Sequence, residues 1–188
     1  MEAFLISITT ISVAEIGDRT QLLSLVLAAR FRRPWPIIAG ILCATLANHA
    51  VAGVIGVWFG SLLKPRILEI VVGISMLAMA LWTLKPDKLD DSSATAGAMG
   101  AFLATLTTFF VAEIGDKTQI ATVALAAGYS NLPAIVAGTT AGMLAANLPV
   151  VFLGTAFATR LPMKQIHYAA SALFAVLGLY FIARAAMS

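Results

Sequence analysis

The sequence predicts an all-α membrane protein: six transmembrane helices arranged as two inverted three-helix repeats. Three observations predict it. The chain lacks the polar surface that water demands, since 60% of its 188 residues are hydrophobic and 11% charged, with mean hydropathy +0.94; a soluble domain carries roughly 25% charged residues. Apolar runs of the length that crosses a bilayer, about 20 residues, recur six times. A nine-residue segment is also written twice, VAEIGDRTQ at 13–21 and VAEIGDKTQ at 111–119, with only Arg19 exchanged for Lys117.

The first run, 3–29, contains the first motif and closes at RFRRPWP. It opens Met1-Glu2 with no basic segment and is longer than the apolar part of a cleaved signal sequence, so it reads as a span. The second run, 37–61, carries Cys43, Asn48 and His49 and ends at LLKPR, and the third is 67–84. KPDKLDDSSATAG follows, and the 85–97 connection with Asp87, Lys88, Asp90 and Asp91 reads as a solvated tether. It is too short for a soluble domain and offers no nucleotide or nucleic-acid site. The fourth run, 98–127, contains the second motif and ends at GYSNLP; the fifth, 132–158, ends at RLPMK, and the sixth is 166–186. In lipid only helices, or barrels alternating apolar and polar residues, satisfy the backbone, and these runs do not alternate. Cys43 is the single cysteine, so no disulfide closes within the chain, and it reads as a small apolar filler. Trp35, Trp58 and Tyr129, near run ends, read as interfacial anchors.

The duplication reaches beyond the motif. At the same offset IIAG (37–40) aligns with IVAG (135–138), Thr9 and Thr10 with Thr107 and Thr108, and Leu81-Trp82 with Leu179-Tyr180. Repeat 1 is 1–84, with its motif at Glu15–Thr20, and repeat 2 is 98–188, with its motif at Glu113–Thr118. An odd number of spans per repeat makes the second copy enter the membrane from the opposite side, an arrangement that places substrate sites near mid-bilayer at the repeat interface. Arg30, Arg32, Arg33, Lys85, Lys88, Arg160 and Lys164 would lie on one side, and Lys64, Arg66 and Arg184 on the other, a count of seven against three. The richer side faces the cytoplasm. Both termini are therefore expected outside, with 30–36, the linker 85–97 and 159–165 cytoplasmic, in a multi-pass protein of the cell inner membrane.

Charges in the middle of an apolar run cost several kcal/mol each, so the motif calls for a function. On a continuous helix, residues three apart share a face, which projects Glu15 with Asp18 and Glu113 with Asp116. Gln21 and Gln119 follow on the same stripe. Gly17 and Gly115 between the acids admit two readings, close approach of another helix or a loosened helix whose carbonyls reach a ligand. Four carboxylates against Arg19 and Lys117 leave the centre at −2. One divalent cation neutralises that charge, and so do two protons. The donors on offer are oxygens: the carboxylates, the amides of Gln21 and Gln119, the hydroxyls of Thr20 and Thr118, and the carbonyls of Asn48 and Asn147. Hard oxygen sites suit Mg²⁺, Ca²⁺ and Mn²⁺.

Each residue also has a structural reading. The four acids could form an interhelical lattice with Arg19 and Lys117. Those two cations balance the acids, and an anion-binding role for them is the lesser alternative. The glutamines suit core hydrogen bonding as well as ligation, and Asn48 and Asn147 suit interhelical hydrogen bonds better. His49, which aligns with Asn147, reads as a hydrogen-bonded core histidine ahead of a proton relay.

Two copies of E-I-G-D-[RK]-T in a six-span chain resemble the signature of the MneA-type manganese exporter family, small cation transporters related to the Golgi and chloroplast manganese/calcium transporters of eukaryotes. The resemblance covers the whole chain. It implies a secondary active transporter that exports divalent metal, Mn²⁺ first, in exchange for H⁺, with Glu15, Asp18, Glu113 and Asp116 as cation ligands in one site. A Ca²⁺/H⁺ antiporter or a cation channel of the same fold is the alternative. An intramembrane acid hydrolase is remote, because unlike acids each beside a permanent cation are badly tuned to share one proton. No catalytic residue and no cofactor is expected; the partners are the metal ion and the bilayer, and no nucleic acid.

Overall fold

Proline and asparagine start the long helices, and glycine breaks two runs that the hydropathy pattern leaves whole. The computed structural model describes residues 1–84, 100–129, 131–154 and 163–187. Among them the chain forms eight helices and no strand. These are α1 (Glu2–Glu15), α2 (Arg19–Phe31), α3 (Pro34–Leu62), α4 (Pro65–Thr83), α5 (Ala101–Glu113), α6 (Lys117–Gly128), α7 (Leu132–Leu153) and α8 (Met163–Met187). Pro34 and Pro65 occupy first-turn positions, where the missing N–H is no loss. Asn131 caps α7, its Oδ1 accepting from the Ala134 N–H at 3.1 Å. Arg32 closes α2 in the left-handed conformation, its N–H returning to the Ala28 carbonyl.

Four of the eight helices, α3, α4, α7 and α8, are long and apolar enough to cross a membrane. They answer to the second, third, fifth and sixth runs. The charged tether 85–97 and Arg160 lie outside the described residues, as do 98–99 and 155–158 at the ends of two runs.

The first and fourth runs depart from expectation. Each was expected as one helix and each is two, α1–α2 and α5–α6, parted at the motif. At the first break Ile16 has φ −64° and ψ 119°, Gly17 has φ 83°, and the Asp18 N–H donates to the Glu15 carbonyl at 3.1 Å. At the second, Ile114 has φ −63° and ψ 118°, Gly115 has φ 74°, and the Asp116 N–H donates to the Glu113 carbonyl at 3.1 Å. Both are type II turns, which require positive φ at the third residue and so favour glycine there. A β-carbon on Gly115 would meet nothing within 4 Å, so the glycine is needed for its backbone angle and not for space.

Contacts between the halves are exchanged reciprocally. Gly40 of α3 lies against the Phe102 carbonyl and Thr105 of α5, and Gly138 of α7 lies against the Phe4 carbonyl and Ser7 of α1. All three residues of one contact are the 98-residue counterparts of the other. A methyl group at Gly40 would sit 2.7 Å from the Thr105 Cβ, and one at Gly138 2.7 Å from the Phe4 carbonyl oxygen. Such small-residue contacts let helix backbones approach where lipid supplies no hydrophobic drive for association. The α4–α8 pair lies outside this inner group, α4 touching α6 and α8 touching α1. Val54, Trp58, Ile74, Leu81, Val176 and Leu179 are exposed on the long helices, an apolar exterior suited to acyl chains. Trp35 and Trp58 are exposed at opposite ends of α3, whereas Tyr129 is half-buried with its ring against Phe181. Cys43 is exposed on α3 and fills no gap in the core.

Candidate metal site

The two breaks put four helix ends into the interior. Glu15 and Glu113 are the last residues of α1 and α5, and Asp18 and Asp116 are the N-caps of α2 and α6. Helix C-termini carry partial negative charge and outward carbonyls, and N-termini carry partial positive charge. A carboxylate at an N-cap complements the positive end, and the Asp18 side chain accepts from the Arg19 N–H at 2.7 Å. Glu15 and Asp18 are therefore neighbours across a turn, and not two positions of one helical stripe. The same correction holds for Glu113 and Asp116. The turn also carries the chain past the acids without leaving its own polar groups bare. Gln21 Oε1 accepts from the Gly17 N–H at 2.9 Å, and Gln119 Oε1 accepts from the Gly115 N–H at 2.8 Å. Both glutamine oxygens are thus turned toward backbone N–H groups. The Gln21 amide nitrogen donates to the Ala146 carbonyl at 2.9 Å.

Glu15, Asp18, Glu113, Asp116 and Lys117 are all buried. One carboxylate oxygen each from Glu15, Asp18 and Asp116 lies within 4.8 Å of the other two, close enough for a single ion to reach all three. The charge pairs cross between the motifs: Lys117 Nζ is 3.1 Å from Asp18 Oδ1, and an Arg19 guanidinium nitrogen is 3.1 Å from Asp116 Oδ1. Arg19 also donates to the Ala112 carbonyl at 2.5 Å, meeting an orphan carbonyl in the last turn of α5. The fourth acid stands slightly apart. The Thr118 hydroxyl is 3.3 Å from both Glu113 Oε2 and Asp116 Oδ2, and links Glu113 to the other three. Both oxygens of Glu15, Oε1 of Glu113 and the Thr20 hydroxyl are buried with no hydrogen-bond partner. Buried acceptors without donors are uncommon and call for an explanation such as an ion.

The asparagines are engaged elsewhere. Asn48 Nδ2 donates to the Phe110 carbonyl at 3.0 Å, and Asn147 Oδ1 accepts from the Ser24 hydroxyl at 2.6 Å. His49 is the residue that sequence reasoning misread. It is fully buried, neither ring nitrogen has a hydrogen-bond partner, and Nε2 stands 3.8 Å from Glu113 Oε2. It is not a hydrogen-bonded core histidine. The signal available in the sequence was a histidine inside an apolar run at the counterpart of a buried asparagine.

The profile of the divalent cation/proton antiporter GDT1 family matches residues 3–91 and 101–188. A Vibrio cholerae protein named "Putative manganese exporter" is 51% identical over 180 residues, covering 95% of this chain and 90% of that one. A GDT1-like protein of Synechocystis is 26% identical over 195 residues, covering 93% of each. No solved structure matches the chain. A membrane protein of apolar helices, with matches of this extent, belongs to the GDT1 family of divalent cation/proton antiporters.

Proposed function

We propose that this protein exports Mn²⁺ across the cell inner membrane in exchange for protons, through one site built from both motifs. Family membership makes it a membrane transporter of divalent cations. The narrower reading rests above all on the crossing of the charge pairs, Lys117 with Asp18 and Arg19 with Asp116. Neither motif balances its own charge. Together they leave a buried centre of −2, which an M²⁺ or two H⁺ would neutralise without stranding charge in a low dielectric. Glu15, Asp18, Glu113 and Asp116 are the proposed ligands, and Arg19 and Lys117 limit repulsion in the empty state.

In this reading α1–α2 and α5–α6 each cross the membrane once as a broken helix, for six crossings in two inverted repeats, 1–84 and 98–188. The reciprocal glycine contacts support that symmetry. Broken helices at a mid-membrane site also fit the general plan of secondary transporters. Both termini face outward and the 85–97 linker lies in the cytoplasm. The 51% relationship to a protein named for manganese favours Mn²⁺ over Ca²⁺.

Everted membrane vesicles carrying a pH-sensitive dye test the proposal. Mn²⁺ added to acid-loaded vesicles should collapse the proton gradient. Metal flux without proton movement would replace exchange by a channel, and a Ca²⁺ response exceeding that of Mn²⁺ would replace the substrate.

A further inference from the structure

We propose that His49 is a ligand of the transported ion, acting with Glu113, and that its nitrogen biases the site toward Mn²⁺ over Ca²⁺ and Mg²⁺. The inference rests on the single-site reading above and names the residue that sets its selectivity. His49 lies on α3, outside both motifs, and its burial is complete. An imidazole removed from water with neither nitrogen bonded is costly, and so rare that a ligand is the natural explanation.

The distance to Glu113 supports the same view. At 3.8 Å, Nε2 and Oε2 are too far apart for a hydrogen bond. Two donors that each lie about 2.2 Å from one ion are separated by about 3 Å when adjacent and about 4.4 Å when opposite. The observed gap falls inside that interval. Glu113 Oε1 is also without a partner. The Thr118 hydroxyl, 3.3 Å from both Glu113 Oε2 and Asp116 Oδ2, bridges this pair to Asp116, one of the three clustered carboxylates.

The site would then be asymmetric. At the counterpart of His49 the second half has Asn147, whose oxygen accepts from Ser24 and whose amide donates to the Met143 carbonyl. Only one imidazole enters. Ca²⁺ and Mg²⁺ take oxygen ligands, whereas first-row ions bind nitrogen with affinity that rises from Mn²⁺ to Cu²⁺, so an imidazole in the shell penalises the two alkaline-earth ions more than it penalises Mn²⁺. One nitrogen among carboxylates therefore separates Mn²⁺ from the two abundant alkaline-earth ions, which four carboxylates alone would admit.

The test uses the purified full-length protein in detergent, with ¹⁵N-labelled histidine and the H167Q substitution, so that His49 is the only histidine. Electron spin-echo spectroscopy of bound Mn²⁺ should show a directly coupled ¹⁵N, and H49Q should lose it. In proteoliposomes the Mn²⁺:Ca²⁺ rate ratio of H49Q should fall on the order of tenfold or more, with Ca²⁺ flux retained. Bound Mn²⁺ without nitrogen coupling overturns the role of His49 while leaving the four-carboxylate site standing, and so does an unchanged ratio in H49Q. A protein that binds no Mn²⁺ at all overturns the single-site reading and this inference with it. The spectroscopic arm needs no change at residue 49, so a poorly folding H49Q cannot shield the proposal.

Discussion

The two crossed ion pairs are counterparts in the sequence, yet the structure predicts that they differ in energy. Lys117 Nζ and Asp18 Oδ1 are 3.1 Å apart, with side chains 3% and 0% exposed. Arg19 and Asp116 are also 3.1 Å apart, but the arginine side chain is 30% exposed. At an effective dielectric of about 20, unit charges about 3 Å apart attract by roughly 5 kcal/mol. Removing one member of a buried pair strands the other and costs about 3–5 kcal/mol, whereas removing both can be nearly neutral. K117M alone should therefore destabilise strongly, and D18N alone less so, because other carboxylates of the centre remain near Lys117 and asparagine keeps the helix cap. The double variant D18N/K117M should recover much of the loss, a coupling of at least about 2 kcal/mol. The Arg19–Asp116 pair, reached by solvent, should couple by about 1 kcal/mol or less. Unfolding by SDS titration in metal-free micelles gives all four corners of each cycle. Equal couplings, or a larger one for Arg19–Asp116, would refute the reasoning that burial separates two pairs of equal separation.

Three further outcomes follow. E15Q and E113Q should each abolish metal-coupled proton movement in vesicles, with the double variant no worse, because groups acting as a unit are non-additive; half-activity in a well-folded single variant would mean two independent sites. G115A should cost about 1–2 kcal/mol from its left-handed backbone alone, and G115N should be milder, since asparagine tolerates that region; a neutral G115A, measured by the same titration, would rule out the type II turn. A cysteine placed at Asp90 should be labelled only from the cytoplasm and one added after Ser188 only from outside, and the reverse pattern would exchange the two faces.

The helical class and the four long helices were legible because hydropathy and proline placement act locally. The four acids were legible as a centre because charge in an apolar run is expensive wherever it falls. The helix breaks were hidden by the same apolar composition, since Val13, Ala14 and Ile16 continue the run straight through the turn. A sharper sign was present. Ile-Gly between two acids fits the second and third positions of a type II turn. Which cation pairs with which acid could not be read, because Lys117 and Asp18 are 99 residues apart in the chain and meet only through packing. For the same reason the approach of His49 to Glu113 was invisible, although the histidine itself was not.

With the geometry in place, each letter of the duplicated segment acquires a physical task. The glutamate ends a half-helix, and isoleucine and glycine turn the chain so that the next half-helix can begin. The aspartate stands at the N-terminus of that second half, and the basic residue crosses to the other motif. The threonine of the second copy lies between two carboxylates. The glutamine holds the turn's exposed N–H, which lipid could not satisfy. Each glutamine oxygen is thus committed to the turn that carries the acids, which gives it a supporting role there. In the proposed single site, four acids and two fixed cations account for the segment occurring twice. A single copy, with two acids and one cation, carries −1, and a divalent ion would leave it at +1 in a buried site. Only the pair of copies reaches the −2 that one divalent ion or two protons cancel, so the proposed neutral exchange requires both copies.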